Sequence, residues 1–340
     1  MTQYKDTTTN TWYCKFRYKD YKGESKQKFK RGFKTKREAK EWEINYLNEN
    51  IKNMYVLDAI EEYFAYISTR LRENTIQNKK WYAKNLSLLH GLTINQVTPK
   101  IILFWQEDLS KNGKANKTIN QSTNILYSVF NHNNKIYNTI YNPVKTISKL
   151  PTETKEKQVW TKEYFDKFLD YVTDPEKIIA YKILFYTGIR YGELLGLTIE
   201  DIYDTYIDIN KAYNYRQKRM DKTKNQQSVR KVLIPSWLYK EIMSYIDTLY
   251  KPNKKMQLFS HPTNTWLQTN LMKICKDNNL KHIRVHDLRH SHATMLINNG
   301  IDIMIVSKRL GHKNISTTIN TYAHLYETRH QEVIDFLEKL

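Results

Sequence analysis

The chain has 340 residues, of which 55 are lysine or arginine and 35 are aspartate or glutamate, so its net charge is +20. This length favours two or three domains with cores of their own and excludes a single small module. The positive charge favours a polyanionic partner, either nucleic acid or an anionic membrane surface. The sequence shows no signal-peptide pattern and no apolar run of the roughly 18 residues that span a membrane, so we expect a soluble, intracellular protein.

Residues 1–52 are predicted to form a small basic domain, a sheet followed by one helix. Aromatic and basic side chains alternate in this segment, which is the pattern of short strands, and Gly23 marks a turn. Thr35 and Glu38 form a capping-box pair that opens the helix. From residue 15 to residue 40 there are twelve basic residues against three acidic ones. Solubility alone does not explain this density of charge.

Residues 53–150 carry the periodicity of a compact unit of four or five helices. One helix is predicted from Pro99 to Leu109, because proline suits a first turn, and another follows Asn116. The apolar positions expected to share helix faces are Leu57, Ile60, Tyr63, Phe64, Ile67, Trp81, Leu86, Leu88, Leu89, Ile125, Leu126, Val129 and Phe130. Prolines and polar residues then interrupt the pattern, so residues 151–158 are predicted to be an interdomain linker.

Residues 159–340 are predicted to form a mixed domain. A helix from Ile178 to Tyr186 ends at Gly188, and strands are expected at residues 206–210 and 229–234 before helices resume. The predicted fold class is therefore α+β and mostly helical. It combines a small N-terminal sheet plus helix, a helical domain and a mixed α/β domain that ends in a tail helix. The isolated Cys14 and Cys275 are expected to be buried, inert thiols in a reducing compartment.

Basic residues and one tyrosine recur through this last segment. Arg190 follows a helix-ending glycine near the start of the next helix, where backbone amides favour a phosphate. Lys224 lies at the tip of a predicted β-hairpin, from which it can donate a proton, and Lys222 is the alternative. His286 and Arg289 are three residues apart and are expected to share one helix face.

Five motifs carry these residues in a fixed order. They are TGIRYGELLGL around Arg190, TKNQQSVRKV around Lys224, HDLRHSHA around His286, LGH at His312 and NTYAHL around Tyr322. In this order and at these separations, the chain resembles the tyrosine recombinase, or phage integrase, family. The resemblance is strong over residues 159–330. It extends more loosely to the helical segment, which is similar to a core-type DNA-binding domain, and to the basic segment, which is similar to an arm-type DNA-binding domain.

The resemblance implies a DNA recombinase that integrates and excises a mobile genetic element. Tyr322 is then the nucleophile that attacks a phosphodiester and forms a 3′-phosphotyrosine, with neither metal nor ATP and with no other cofactor. Arg190 and Arg289 hold the non-bridging oxygens of the phosphate and stabilise the charge of the transition state.

The resemblance also assigns the remaining site residues. Lys224 matches the general acid that protonates the leaving 5′ oxygen, and His286 matches the acid/base position. His312 matches a donor of a hydrogen bond to the phosphate. Glu193, three residues after Arg190, matches the acidic residue that supports the geometry of the site.

The implied partner is double-stranded DNA at attachment sites. The protein is expected to be a homotetramer on DNA and a monomer when free in solution. Its expected location is the cytoplasm of a bacterial host, in association with the nucleoid. An excisionase and a DNA-bending host factor are further implied partners. The amphipathic C-terminal tail packs either on its own domain or, as the resemblance implies, on a neighbouring protomer. The predicted DNA-binding residues of the basic segment are Lys15, Arg17, Lys19, Lys28, Lys30 and Arg31.

Three alternatives remain at this stage. A DNA-binding regulator could keep the fold without cutting DNA, although the presence of the four residues Arg190, His286, Arg289 and Tyr322 argues against it. A type IB topoisomerase-like relaxase shares the chemistry, whereas the separate basic domain favours site-specific action. Seven of the ten histidines follow residue 280, which suggests a metal site, but no HExxH motif or completing carboxylate accompanies them.

Overall fold

The computed structural model describes residues 2–19, 25–52, 54–137, 141–153, 158–214, 217–222, 229–259, 263, 265–323, 334, 337 and 338. The chain divides into two compact units, Met1–Thr154 and Lys155–Leu340. The first unit contains two separate hydrophobic clusters, one in its sheet and first helix and one in its later helices. The finer division into three domains with a linker at residues 151–158 stays a prediction.

The first unit opens with an antiparallel sheet in the order β1-β2-β3. The strands and the following helix are β1 Gln3–Asp6, β2 Thr11–Lys19, β3 Ser25–Phe33 and α1 Lys36–Lys52. Cys14 and Phe16 of β2 are buried against Ala39 of α1. The Thr35 hydroxyl accepts a hydrogen bond from the backbone N–H of Glu38 at 3.1 Å, so the predicted helix start is confirmed. The predicted turn at Gly23 lies outside the described residues.

The rest of the first unit is helical. Its helices are α2 Val56–Ser68, α3 Glu73–Ala83, α4 Pro99–Lys111 and α5 Asn116–Tyr137, with 3-10 helices at Lys84–Leu89 and Pro143–Thr146. Most of the predicted apolar positions are buried together, as Ile60, Ile125 and Phe130 illustrate.

Three of the predicted core positions in this unit are wrong. Leu57, Trp81 and Leu88 are 39%, 56% and 61% exposed. The segment that contains Leu88 is a 3-10 helix with three residues per turn, so Leu86 and Leu89 share its buried face and Leu88 points to the other side. The α-helical period assumed from the sequence does not apply there.

The second unit has eight α-helices and four short strands among its described residues. They are α6 Lys162–Leu169, α7 Pro175–Thr187, α8 Tyr191–Leu195, β4 Tyr206–Ile209, β5 Lys211–Asn214, β6 Arg219–Lys222, β7 Arg230–Leu233, α9 Ser236–Asp247, α10 Trp266–Asp277, α11 Asp287–Asn298, α12 Ile303–Leu310 and α13 Ile315–Tyr322. A 3-10 helix covers Ile199–Asp201. The mostly helical α+β class is therefore confirmed.

The strands of the second unit form two antiparallel pairs. β4 pairs with β7, which confirms the two predicted strands, and β5 pairs with β6 in the segment between them. Helix α8 packs directly on β5, because Gly196 brings its backbone so close that a Cβ there would lie 3.0 Å from the Cα of Ala212. This contact attaches the β5–β6 pair to the helix that follows Arg190.

Two hydrophobic clusters hold the second unit together. The larger cluster packs α6, α7, α9, α10 and the β4–β7 pair, and Phe165 and Phe185 stack in it with ring centroids 4.0 Å apart. The smaller cluster joins α11, α12 and α13 and includes Tyr322. Cys14 and Cys275 are buried free thiols, as expected. No helix within the described part of the chain combines the length and apolar character needed to cross a membrane.

Candidate active site

The corner between α7 and α8 positions Arg190. Gly188 caps α7 in the left-handed conformation, with φ at 67°, and Arg190 is the residue that precedes α8. Its guanidinium donates to Glu193 Oε1 at 2.8 Å and to the carbonyl oxygen of Gly311 at 3.3 Å. The predicted position of Arg190 at the start of a helix is confirmed, and its side chain remains 38% exposed.

Arg289 lies inside α11 and is 4% exposed. Its two terminal nitrogens donate to the carbonyl oxygens of Gly188 and Leu310, each at 2.7 Å. Burial and the positive charge of Arg190 lower the pKa of Arg289 to about 9, so the group keeps its charge at neutral pH. Arg289 and Arg190 therefore meet between the end of α7 and the segment that follows α12.

His286 and Arg289 differ in exposure, and their placement on one helix face stays a prediction. His286 is the residue before α11 and is exposed, whereas Arg289 is buried inside the helix. The backbone at His286 is helical, with φ at −66° and ψ at −24°. Its carbonyl oxygen accepts a hydrogen bond from the backbone N–H of Arg289 at 3.2 Å, as the spacing of three along a helix requires. Desolvation and the charge of Arg289 lower the pKa of His286, which favours the neutral imidazole.

Tyr322 is the last residue of α13 and is 2% exposed. Its hydroxyl lies 2.7 Å from Nδ1 of His290, and the two rings have centroids 5.9 Å apart. Burial raises the pKa of the Tyr322 hydroxyl, and the charge of Arg289 opposes that rise. His290 in turn contacts the ring of His286, with centroids 5.3 Å apart.

His312 follows α12 directly after Gly311. Its Nδ1 lies 2.7 Å from the hydroxyl oxygen of Thr318 on α13, so this contact orients the ring. Arg190 and Arg289 both donate to carbonyl oxygens in the same Leu310–Gly311 segment. The segment before His312 therefore joins the two arginines to the helix that carries Tyr322.

Glu193 is 3% exposed and lies between two guanidinium groups. Arg190 donates to its Oε1, and Arg230 donates to its Oε2 at 3.0 Å. Burial acts to raise the pKa of Glu193, but the charges and hydrogen bonds of Arg230 and Arg190 lower it below its usual range. Glu193 is therefore ionised at neutral pH.

Sequence reasoning missed Arg230, Arg309 and the contact of His290 with Tyr322. Arg230 donates through Nε to the carbonyl oxygen of Arg309 at 2.7 Å. Arg309 donates to His292 Nε2 and to the carbonyl oxygens of Leu233 and Tyr186, each at 3.0 Å. Arg230 lies inside the lysine motif, but nothing local in the sequence predicts a partner 37 residues away.

The side chains of the two candidate lysines are not among those that the structure describes. Lys224 lies outside the described residues. Lys222 ends β6, opposite Lys211 in the strand register, but its side chain also lies outside what the structure describes. The choice between these lysines stays open.

The six basic residues predicted to bind DNA do not share one face of the N-terminal sheet. Lys28 and Lys30 point toward α1, with their amines 4.8 Å from the centroid of the Tyr46 ring and 5.3 Å from that of the Trp42 ring. Lys15 and Arg17 alternate with the buried Cys14 and Phe16, so they lie on the outer face. Arg31 stacks over Phe29 on that outer face. The side chain of Lys19 is not among those that the structure describes.

A metal site would require several ligand side chains to lie close together. Across the described ranges, no group of three or more histidine, cysteine, aspartate or glutamate side chains comes together as ligands would. His286 and His290 instead contact each other by their rings, and His290 contacts Tyr322. Independence from metal stays a prediction.

The sequence matches the models of two known domain families. Residues 159–329 match the Phage integrase family, and residues 2–49 match an arm DNA-binding domain. The ICEBs1 integrase of Bacillus subtilis is 28% identical over 303 residues, which cover 83% of this chain and 82% of the relative. The integrase of Staphylococcus phage L54a is 26% identical, with 91% of this chain and 99% of that one covered.

Solved structures share the fold. The Tn1549 transposon integrase in complex with transposon right end DNA superposes with a TM-score of 0.71 at 23% identity, covering 82% of this chain and 99% of that one. A lambda integrase dimer bound to a COC′ core site gives a TM-score of 0.64 at 15% identity, with 94% of each chain covered. The chain belongs to the phage integrase family of tyrosine recombinases.

Proposed function

We propose that this protein is a site-specific DNA recombinase that cuts and rejoins duplex DNA through Tyr322, and so integrates and excises a mobile element. The observation that carries the proposal is the contact between the Tyr322 hydroxyl and Nδ1 of His290, which are 2.7 Å apart. His290 lies on α11, the helix that also bears Arg289. A nucleophile, a proton acceptor and a phosphate-binding cation thus belong to one site.

The proposed cleavage step conserves the phosphodiester. The oxygen of Tyr322 attacks phosphorus, the bond from phosphorus to the 5′ oxygen breaks, and a 3′-phosphotyrosine forms. Arg190 and Arg289 donate to the non-bridging oxygens and stabilise the charge that develops on them. In rejoining, a 5′ hydroxyl attacks the same phosphorus and tyrosine leaves, so no external energy source is consumed.

Each proton in this step has a proposed carrier. His290 accepts the phenolic proton, because its Nδ1 is in hydrogen-bond contact with that hydroxyl. The adjacent imidazole of His286 acts as the acid/base that passes the proton on. Lys224, with Lys222 as the alternative, protonates the leaving 5′ oxygen. His312 adds a hydrogen bond to the phosphate.

We assign three parts to the chain: residues 1–52 for arm-type DNA, residues 53–150 for core-type DNA, and residues 159–340 for catalysis, with residues 151–158 as linker. The outer face of the N-terminal sheet suits the first role. Its basic side chains stand beside aromatic rings, and Arg31 lies 4.9 Å from the centroid of the Phe29 ring. Phosphates attract the cations, and the grooves of duplex DNA admit a strand pair or helix.

The proposed substrate is double-stranded DNA at attachment sites. On it the protein acts as a homotetramer, assembled from free monomers, and an excisionase and a DNA-bending host factor assist it. A lambda integrase tetramer bound to a Holliday junction has the same fold, with a TM-score of 0.62, which supports this assembly. Because the substrate is chromosomal DNA, we place the protein in the bacterial cytoplasm at the nucleoid. The tail proposed to dock on a neighbour falls almost wholly outside the described residues.

A nicked suicide substrate tests the proposal. Wild type, Tyr322→Phe and the matched control Tyr250→Phe, whose ring is 83% exposed, are incubated in EDTA with DNA from the ends of the element. We expect a covalent protein–DNA band from wild type and the control only, because only Tyr322 forms the phosphotyrosine.

Other outcomes are equally specific. A band from Tyr322→Phe would show that another residue is the nucleophile. The absence of a band on DNA that the wild type binds would favour the non-cutting regulator. Relaxation of supercoiled plasmids without regard to sequence would favour the topoisomerase-like enzyme.

A further inference from the structure

Arg230, at the start of β7, is turned toward the interior of the second unit. Its side chain is 8% exposed, against 38% for Arg190. Nη1 and Nη2 donate to the two carboxylate oxygens of Glu193, at 3.3 and 3.0 Å, and Nε donates to the carbonyl oxygen of Arg309 at 2.7 Å. Each of the three nitrogens donates within the protein, and two of them donate to Glu193, so the guanidinium is oriented toward that carboxylate.

Glu193 needs such a partner because it is a buried carboxylate. Its side chain is 4% exposed, and a buried carboxylate without a cation takes up a proton. Arg190 is its other partner, yet Arg190 is also the residue that reaches solvent and has to bind an incoming phosphate. A phosphate competes with Glu193 for the Arg190 guanidinium, whereas Arg230 remains with Glu193.

We propose that Arg230 is a positioning residue of the recombinase: by pairing with buried Glu193, it keeps that carboxylate charged and fixed against Arg190, which then presents its remaining donors to the phosphate. The effect on cleavage rests on the proposed function. The link between Arg230 and Glu193 does not, because it exists in the protein without DNA.

The surroundings of Glu193 support this assignment. Among the described residues, the charged groups that face it are Arg190 before α8, Arg230 on β7 and Arg289 on α11. A Cβ on Gly311 would lie 3.0 Å from Nη1 of Arg230, so the segment between α12 and α13 holds the guanidinium from the other side. Burial opposes the ionised form of Glu193, and Arg230 is the largest influence that restores it.

The first test measures Glu193 directly in the full-length protein without DNA. Glutamate carboxyl carbons are labelled with ¹³C, the Glu193 signal is assigned by its loss in Glu193→Gln, and its titration is followed in wild type and Arg230→Met. We expect the midpoint to rise by at least about one pH unit in Arg230→Met. An unchanged midpoint would overturn the proposal, whether or not the protein cuts DNA.

Two further variants keep this test decisive. Arg37→Met removes an arginine that is 88% exposed and paired with Glu41 in the first unit, and it should leave the Glu193 midpoint unchanged. Arg230→Lys keeps the charge but loses the planar fork, so its midpoint should lie between those of wild type and Arg230→Met. If Arg230→Met does not fold, as judged by circular dichroism, Arg230→Gln replaces it with the same expected rise, and an unchanged midpoint in that variant overturns the proposal.

The second test uses the suicide substrate at several pH values. At a pH about one unit below its own Glu193 midpoint, Arg230→Met should form the covalent complex about tenfold more slowly than wild type. Its rate should recover as the pH rises through that midpoint and Glu193 deprotonates. Glu193→Gln should be slow without such recovery. A uniform loss in Arg230→Met at every pH would reduce Arg230 to a purely structural residue. Failure of wild type itself would reject the proposed function, and the titration would still decide whether Arg230 holds Glu193.

Discussion

At the residue scale, the candidate site concentrates buried positive charge around one carboxylate. Arg289 donates to the carbonyl oxygens of Gly188 and Leu310, and Nε of Arg230 donates to that of Arg309. These carbonyl groups belong to the ends of α7 and α12. Since those helix ends are fixed by packing, the guanidinium groups are held in place before any anion arrives. Preorganised cations of this kind stabilise a developing negative charge without a cost of reorganisation.

His292 is the neutral component of this cluster. It is 1% exposed, and its Nε2 accepts a hydrogen bond from Nε of Arg309 at 3.0 Å. Burial and the charge of Arg309 lower the pKa of His292 to about 3. A protonated imidazole would lose the bond to Arg309 and add a buried charge, so the fold requires the neutral form.

This requirement predicts a loss of stability in acid. Between pH 6.5 and 3 the unfolded chain binds a proton at residue 292 that the folded chain does not bind. The free energy of unfolding should therefore fall, as the pH drops, by up to about 1.4 kcal/mol per pH unit from this group. His292→Gln, which can still accept from Arg309, should show a shallower slope of unfolding free energy against pH in urea titrations at pH 6, 5 and 4.

The control for this prediction is His282→Gln. His282 is exposed, so its replacement should leave the slope as in wild type. Other histidines contribute equally to all three proteins. Equal slopes in wild type and His292→Gln would contradict the assignment of His292 as the acid-sensitive group.

At the scale of elements, two glycines allow the helix ends to meet at the site. Gly188 ends α7 and Gly311 ends α12, each in the left-handed conformation, with φ at 67° and 69°. A Cβ on Gly188 would lie 2.6 Å from Cδ2 of His292. The corner that leads to Arg190 therefore depends on both the backbone conformation and the missing side chain of Gly188.

Gly188→Ala should consequently destabilise the second unit by more than conformational strain alone. A left-handed L-residue costs about 1–2 kcal/mol, and the clash with His292 adds to it. Gly300→Ala supplies the matched control, because Gly300 has φ at 80° but no atom within 4 Å of an added Cβ. Urea unfolding should show a clearly larger loss for Gly188→Ala. Equal losses of unfolding free energy in the two variants would mean that α11 shifts to accommodate the added methyl group at little cost.

At the scale of the whole molecule, the basic N-terminal sheet and the catalytic unit have different tasks in the proposed function. The outer face of the sheet carries Lys15 and Arg17, whereas Lys28 faces α1. Only the outer cations can replace counterions along a duplex that lies on this face. The net charge of the segment therefore overstates the number of its phosphate contacts.

Lys15→Ala and Lys28→Ala test this division of the sheet. For binding to arm-type DNA, Lys15→Ala should lower the affinity and reduce the slope of log K against log salt concentration by about one. Lys28→Ala should leave the slope near that of wild type, because its amine stacks on the Tyr46 ring at 4.8 Å. Fluorescence anisotropy at several salt concentrations measures both. A larger change of slope for Lys28→Ala would place the DNA on the α1 side.

The positions of several helices and the family of the protein can be predicted from its sequence alone. Periodicity and capping residues locate α1, α4, α5 and α7, because helix starts and ends depend on neighbouring residues. The glycine before Arg190 and the order of the five motifs indicate the family and its chemistry. The helix ends can be predicted because backbone stiffness and capping hydrogen bonds act between residues that are close in sequence.

Only the tertiary structure decided the contacts made across long separations. It paired Arg230 with Glu193, brought Tyr322 to His290, turned Lys28 away from the outer sheet face and exposed Leu88 in a 3-10 turn. Each of these outcomes depends on which faces of distant elements pack together. A sequence pattern encodes the period of an element, but its partner is chosen by the packing of the whole core.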